Sequence, residues 1–443
     1  MFVMVKFLIV GSGGREASFA MHLMKDVEVY AVMGHENPLI IDCVLQSGGE
    51  YLVGDADSPD TILKFAMQHS IAYAFVNADQ PLANGVVDTL LQNGIKAIGG
   101  TQAATRIEWD KIYAIDMMHR VCPEFTPFYL VVSDHTSLSE ALDRFKSHNL
   151  QVVVKPQGLT GGKGVKVMPV HLPTYDDCYQ YAASLLDKGP DESVLLVERL
   201  EGIEFTIMGI TDGRNLVMAP ASYDYPFRYE GDVGPGTGGM GCFTAPSDRL
   251  PFMTDGDLAD CRVIMQRVID DMRHAGLSFM GVLNGGFFKT VDGIRFMEFN
   301  GRFGDPEGLN VLSVLDGSLY DVLLHIWNGT VSGDVITFAK KASVTKYLVA
   351  EEYPESSSTA TDFTVDVNAI KEMGIQTYFA SCIRIDDTTY RTLKKSRVVA
   401  LGAASDTIQE ASDIINKAIS LHIHGSLEYR SDIGSTESLQ RLH

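Results

Sequence analysis

Two lysines around a glycine-rich turn, and a carboxylate paired with an amide two residues later, are the residues of this 443-residue chain whose spacing points to chemistry. The run Lys155-Pro156-Gln157-Gly158-Leu159-Thr160-Gly161-Gly162-Lys163-Gly164-Val165 sets one lysine at the end of an apolar segment and the other inside the glycines. No Gly-Lys-Ser/Thr opens a helix there, so the run is not a Walker A loop. Apolar segments at 151–155 and 165–168 instead predict a strand, a glycine turn and a second strand. Such a hairpin folds over the phosphates of a nucleotide, supplying N–H donors and positive charge where a transferred phosphoryl group becomes more anionic.

In Glu298-Phe299-Asn300-Gly301-Arg302-Phe303-Gly304-Asp305-Pro306-Glu307, strand alternation puts Phe296, Glu298 and Asn300 on one face. A carboxylate and an amide oxygen converging on one point are hard donors suited to magnesium. Arg302 continues that face, where a guanidinium holds a phosphate or a substrate carboxylate. A third cluster, Gly11-Ser12-Gly13-Gly14-Arg15-Glu16, directly follows an apolar strand. Its backbone N–H groups suit a phosphate at a helix N-terminus, and Arg15 could add a bidentate contact. Glu16 occupies the position of the third glycine in a dinucleotide fingerprint. The loop is therefore a site for a smaller phosphorylated ligand, a tight turn, or, least favoured, a dinucleotide site.

The elements that must hold these residues follow from periodicity. Strand-like segments at 5–10, 28–32 and 73–76 alternate with helical spacing at 61–68 and 82–91, which predicts a doubly wound sheet. Beyond Gly99-Gly100 the pattern changes. Ser137 with Glu140 reads as a capping box opening a helix. Further strands are predicted at 194–197, 204–209, 281–289, 294–299 and 342–349, and helices at 257–274 and 406–421.

At roughly 150 residues per domain the length suggests about three domains, with boundaries expected near 105 and 333. The chain carries 36 Lys and Arg against 57 Asp and Glu, a net charge of −21, which opposes an extended nucleic-acid or anionic-membrane surface. One loop of backbone N–H groups still binds a small anion on an acidic protein. No apolar run reaches membrane-spanning length, and neither a signal peptide nor an anchor is expected. Cys43, Cys122, Cys178, Cys242, Cys261 and Cys382 show no Cys-x-x-Cys pair, as in a reducing cytoplasm with neither disulfide framework nor zinc site.

Taken together, these motifs resemble the glycinamide ribonucleotide synthetase, or phosphoribosylamine-glycine ligase, family of ATP-grasp enzymes, in its archaeal-like branch. The resemblance rests on Gly11 to Glu16, on Lys155 to Val165, on Glu230-Gly231-Asp232-Val233-Gly234-Pro235-Gly236-Thr237-Gly238-Gly239-Met240-Gly241, and on Glu298 to Glu307. A weaker match is Tyr429-Arg430-Ser431-Asp432-Ile433-Gly434. These segments span nearly the whole chain in the family's order. The stretch from 230 to 241 is the most specific.

The resemblance implies an α/β and α+β multidomain fold. Residues 1–105 would form a doubly wound N-terminal domain facing phosphoribosylamine. Residues 106–332 would form a two-lobed ATP-grasp domain with a mobile lobe at about 124–195, and residues 333–443 a small C-terminal α+β domain. It implies a cytoplasmic, monomeric purine-biosynthesis enzyme that ligates glycine to 5-phosphoribosylamine through a glycyl phosphate, using ATP with Mg2+ or Mn2+.

By the same resemblance, Lys111, Lys155, Gly161, Gly162 and Lys163 contact ATP, Glu198 and Leu200 border the adenine, and Glu204 reaches the ribose. Glu298 and Asn300 hold the metal, and Lys155 and Arg302 act in catalysis. Gly11, Ser12, Gly13, Gly14, Arg15, Glu16, Asp79 and Pro81 face the phosphoribosylamine. Asp232, Gly238, Gly239 and Asp305 complete the substrate-binding set. The motifs suggest no cysteine or serine nucleophile, so covalent catalysis through the protein is not required.

Four positions depart from the family pattern: Ala17, Asp79, the segment Asp224-Tyr225-Pro226-Phe227-Arg228, and Gly286, with Asn284 on the same strand face placed to substitute in part. Three other readings remain: a ligase for a different amine, a catalytically impaired nucleotide-binding homologue, and, opposed by Glu16 and by the strand–loop–strand setting of the second glycine run, a dinucleotide-dependent oxidoreductase.

Overall fold

A computed structural model describes residues 4–158, 164–357, 359–393 and 396–442. Its first hundred residues form five parallel strands, in spatial order Tyr51–Val53, Glu28–Met33, Lys6–Val10, Tyr73–Val76 and Lys96–Gly100. The apolar run of Lys6–Val10 serves two cores at once. Phe7 and Ile9 pack into one hydrophobic cluster, Leu8 and Val10 into another on the opposite face. Helices on both faces demand such a strand, which is why it reads as a continuous apolar run.

The sheet does not stop at Lys96–Gly100. Phe279 and Met280 pair antiparallel with Gly100 and Gly99, and the ladder continues through Ile203–Thr211, Ser222–Asp224, Gly241–Thr244, Ala342–Ala350, Val399–Ser405 and Gln376–Phe379. Gly293–Asn300 pairs with the far half of Phe279–Thr290. One twisted sheet thus joins the two ends of the chain. A second sheet stands apart from it. Tyr129–Val132, Val194–Glu198, Val152–Pro156 and Lys166–Val167 form an antiparallel unit under helices His135–Ser147 and Tyr175–Leu186, with a core built on Leu138, Phe145, Val154, Cys178 and Leu196. The strand pair flanking the glycine turn is the expected hairpin. A third sheet, of Cys382–Arg384, Thr389–Thr392, Asp362–Val365 and Ile423–Gly425, lies near the C-terminus.

The structure corrects three expectations. The helix expected over 82–91 is two helices, Asp79–Ala83 and Val86–Gln92, because Gly85 between them adopts φ +79°. The capping box is Asp134 with Ser137, not Ser137 with Glu140. The Asp134 carboxylate accepts from Ser137 N–H at 2.8 Å, so the helix starts three residues earlier. Phe296 does not share a face with Glu298. Gly286 pairs with Glu298 but Phe287 with Phe296, so Met297 is the extra residue of a β-bulge. Phe296 turns into the core against Phe299, ring centroids 4.7 Å apart. Glu298 and Asn300 keep the cleft side. Position 105 falls inside the helix Gln102–Trp109, and position 333 between Leu319–Asn328 and Thr337–Phe338.

Candidate active site

A cleft of about 610 Å³ lies between the small antiparallel sheet and the long one. Lys155 reaches it from the end of Val152–Pro156, and its ammonium donates to the Met297 carbonyl at 3.3 Å. Lys111, the first residue of the helix Lys111–Val121, donates to the Gly158 carbonyl at 2.6 Å. Lys111 therefore ties Gly158 to the cleft, while Lys155 meets the opposite strand at Met297. Burial lowers the pKa of each, opposed by the Glu298 carboxylate. Gly161, Gly162 and Lys163 lie outside the described residues.

Glu204 and Thr206, on Ile203–Thr211, and Glu298 and Asn300, on Gly293–Asn300, line the same wall. Burial, reinforced by the charge of Glu298, pushes the Glu204 carboxyl up to about 7. Asn284 stands opposite Asn300 in the ladder, and its Oδ1 is buried without a hydrogen-bond donor among the described residues. At Gly286 a Cβ would stand 2.7 Å from the Met297 methyl, so the bulge fills the space a longer side chain would need. The apolar part of the cleft comes from Ile107, Ala114, Ile115, Leu195 and Phe205. Glu198 and Leu200, expected beside an adenine, are not on its lining. They lie beyond Leu195, at and after the end of Val194–Glu198.

Arg302 sits in a carboxylate cage. Its Nε is 3.1 Å from Glu108 Oε1 and 3.8 Å from Asp79 Oδ1, while its Nη2 donates to Asn300 Oδ1 at 3.4 Å. Burial opposes the guanidinium charge, but Glu108 and Asp79 outweigh it and raise the pKa. The arginine in turn holds the Asp79 carboxyl below its usual range. Glu108 is pushed up by burial against the pull of Arg302, and it accepts from Gly301 N–H at 2.8 Å.

The N-terminal loop presents Gly13, Arg15 and Glu16 to the cleft, whereas Gly11, Ser12, Gly14 and Pro81 are off its lining. Arg15 donates to Glu16 at 2.8 Å and to the Phe303 carbonyl at 2.9 Å, so its fork is already engaged. Ser12 shapes the loop by accepting from Gly34 N–H at 2.7 Å. Directly against this loop, Tyr347 donates to Asp305 Oδ1 at 2.8 Å, and Arg397 lies 3.2 Å from Asp305 Oδ2. Arg397 also donates to the carbonyls of Gly238 and Gly239, which fixes that turn. Gly238 lines the cleft, and Gly239 lies just behind it with φ +97°.

Asp232 departs from its expected place. Its carboxylate is 2.8 Å from the Arg430 guanidinium, which also meets Asp432 at 2.8 Å, so the acid fastens the segment 230–241 to the C-terminal segment. Sequence reasoning assigned no role to Glu108, Asp224, Glu307 or Arg397, all of which line the cleft. Asp224 and Glu307 stood inside motifs quoted above. Arg397 follows Lys394-Lys395-Ser396, a basic run unusual in so acidic a chain. Glu108 left no signal, since its partner Arg302 is 194 positions away in sequence order, counted from the two residue numbers.

A wall of half-buried lysines facing carboxylate and amide oxygens, with an apolar pocket beside it, suits a nucleoside triphosphate with a divalent metal. Comparison with known proteins agrees. Residues 5–108 match the family described as phosphoribosylglycinamide synthetase, N domain, and residues 109–308 match its ATP-grasp (A) domain. A phosphoribosylamine–glycine ligase from Methanobrevibacter smithii is 37% identical over 439 residues, covering 99% of this chain and 98% of that one. One from Methanothermobacter thermautotrophicus is 38% identical, with the same coverage of 99% and 98%. Among solved structures, a phosphoribosylamine–glycine ligase from Thermotoga maritima superposes with a TM-score of 0.79 at 22% identity, covering 97% of this chain and all of that one. The biotin carboxylase domain of a 2-oxoglutarate carboxylase from Hydrogenobacter thermophilus shares the fold, with a TM-score of 0.69 at 14% identity, covering 97% of this chain and 92% of that one.

Proposed function

The chain belongs to the phosphoribosylamine–glycine ligase family, and from that premise we propose how its cleft carries out the family's reaction. The enzyme ligates glycine to 5-phosphoribosylamine at the expense of ATP, giving glycinamide ribonucleotide, ADP and phosphate for purine biosynthesis. A carboxylate oxygen of glycine attacks the γ-phosphorus, and the bond to the β-phosphate oxygen breaks. The amine then attacks the acyl carbon of glycyl phosphate, phosphate leaves with the C–O bonding pair, and the nitrogen sheds a proton.

The roles follow from position. Lys155 and Lys111 neutralise phosphoryl oxygens, and the depressed pKa of each reflects a dry site in which that charge acts strongly. Glu204 accepts from the ribose hydroxyls, and Ile115 and Leu195 wall the base. Glu298 and Asn300 would hold Mg2+, or Mn2+ in its place, because both present hard oxygens to the cleft from one face of the strand, beside the lysines that meet the phosphates. When bound, the ion offsets negative charge on the transferred phosphoryl group. Arg302, held by Glu108 and Asp79, orients an oxyanion of the acyl phosphate. Gly13, Glu16, Asp79, Gly238 and Asp305 border the remaining space, where phosphoribosylamine approaches.

The observation that carries this reading is the convergence of Lys111, Lys155, Glu204, Glu298, Asn300 and Arg302 on one cleft from separate parts of the chain. We extend it to domains of residues 1–105, 106–332 and 333–443, and to a monomer acting in the cytoplasm. All six cysteines are free and buried, which supports a reducing compartment. The deciding experiment measures phosphate release from ATP with metal, glycine and freshly made phosphoribosylamine, each omitted in turn. Release that needs every component supports the ligase; ATP binding without release under any combination favours the impaired homologue.

A further inference from the structure

The assigned roles leave two cleft carboxylates unused. Asp224 ends the strand Ser222–Asp224, and Glu307 opens the short helix Glu307–Leu312; both face the cleft. Among the described residues no ion pair joins either to a cation, in contrast to Glu16 with Arg15, Glu108 and Asp79 with Arg302, and Asp305 with Arg397. Asp224 Oδ1 is shut off from solvent and meets no donor. Glu307 is 7% exposed; the Thr206 hydroxyl approaches its carboxylate at 3.5 Å, and the Arg302 and Arg397 guanidiniums act on it from beyond ion-pair distance. A buried acid without a counter-charge is costly, and natural proteins keep one where a cation arrives.

The shape of the pocket narrows that cation. Gly239 closes over Asp224: a Cβ there would stand 2.7 Å from Asp224 Oδ1 and 2.7 Å from the Pro306 ring. Burial and the neighbouring charge of Glu307 hold the Asp224 carboxyl well above its usual range, as expected of two acids that await a shared positive partner. A primary ammonium places three donors on one small nitrogen, which suits two carboxylates that meet beside a backbone packed as closely as Gly239.

Resting on the ligase reading, we propose that Asp224 and Glu307 are the seat of the glycine ammonium group, binding the amino acid by its cationic end while its carboxylate points to Arg302 and the phosphoryl group. The amine of phosphoribosylamine is the wrong occupant, because it must arrive as a free lone pair and a carboxylate pair would hold it protonated. For glycine the same effect is useful. An α-amine kept as ammonium cannot attack its own activated carboxylate or another glycyl phosphate.

The test is a steady-state titration of each substrate in turn with the wild type, Asp224→Asn and Glu307→Gln, following phosphate release. Both variants are expected to raise KM for glycine by at least about tenfold, the loss typical of a hydrogen bond to a charged group, with KM for ATP and for phosphoribosylamine near the wild-type values. The ratio of glycine-dependent to acetate-dependent ADP formation falls in parallel, since acetate has no ammonium to lose. Unchanged glycine KM in folded variants, or a rise confined to phosphoribosylamine, overturns the assignment while leaving the ligase standing. Absence of glycine-dependent turnover in the wild type removes the ligase reading itself, and this inference with it.

Discussion

Glu108 Oε1 lies 3.1 Å from Arg302 Nε, joining a helix that follows the N-terminal sheet to the turn after the cleft-lining strand Gly293–Asn300. The same carboxylate accepts the Gly301 N–H at 2.8 Å, so one buried acid fixes both the backbone and the guanidinium of adjacent residues. Replacing Glu108 with Ala strands a backbone donor and a buried cation. We expect a loss of about 1–3 kcal/mol in stability from these unmet groups. Turnover should fall further than KM for ATP rises, because Arg302 is misdirected rather than the nucleotide site emptied. Glu108→Asp, which keeps the charge, should recover part of the rate; equal turnover in all three proteins would argue that Arg302 is aimed by other contacts.

Lys155→Ala should abolish turnover and leave the fold intact. Among the described residues its ammonium makes one hydrogen bond, at 3.3 Å to a carbonyl, so little structure depends on it, while the phosphoryl group loses a positive charge. Circular dichroism and phosphate release on the same preparation check both halves. Near-normal turnover would refute the role.

Glu298→Gln should raise the metal concentration needed for half-maximal activity, since an amide oxygen replaces a carboxylate in a site of few protein donors. Direct binding of Mn2+, followed by its electron paramagnetic resonance, should weaken alongside. A metal titration that superposes on the wild type counts against the assignment.

Glu204 gives a pH dependence of definite sign. Its folded-state value of about 7 lies above the ordinary 4.5, so the folded protein holds a proton that the unfolded chain has released between those values. This contribution to stability is complete below about 4.5 and disappears as pH rises through 7. Thermal unfolding of the ligand-free protein should therefore show a component that weakens over that window, and Glu204→Gln should flatten it. If the variant keeps the wild-type slope, the proton sits elsewhere.

What the residues disclose in advance is local. The apolar run before Gly11, the hairpin around Gly158, and the long strand pair ending at Asn300 were legible because period and punctuation suffice to define them. The spacing over 82–91 reads as one helix, although Asp79–Ala83 and Val86–Gln92 are two, because a left-handed glycine leaves the apolar spacing on either side intact. The bulge at Met297 was invisible because it depends on the partner strand, and it changes which face Phe296 takes. Residues inside motifs could be singled out by chemistry, and Lys155, Glu298 and Arg302 do line the cleft. Glu108 and Arg397 enter the cleft only through tertiary packing. Asp232 shows the converse: a residue in the most distinctive motif serves an ion pair with Arg430.

The ladder that runs unbroken from Gln376–Phe379 to Tyr51–Val53 makes most of this molecule a single girder. Strain applied at one end is carried through hydrogen bonds, so the loop before Arg15 and the strand bearing Tyr347 keep a fixed spacing. The small sheet bearing Lys155 shares no rung with that girder. We therefore expect opening and closing of the cleft to fall to the arm that carries the lysine, with the acids across from it staying still, like an anvil beneath a hammer.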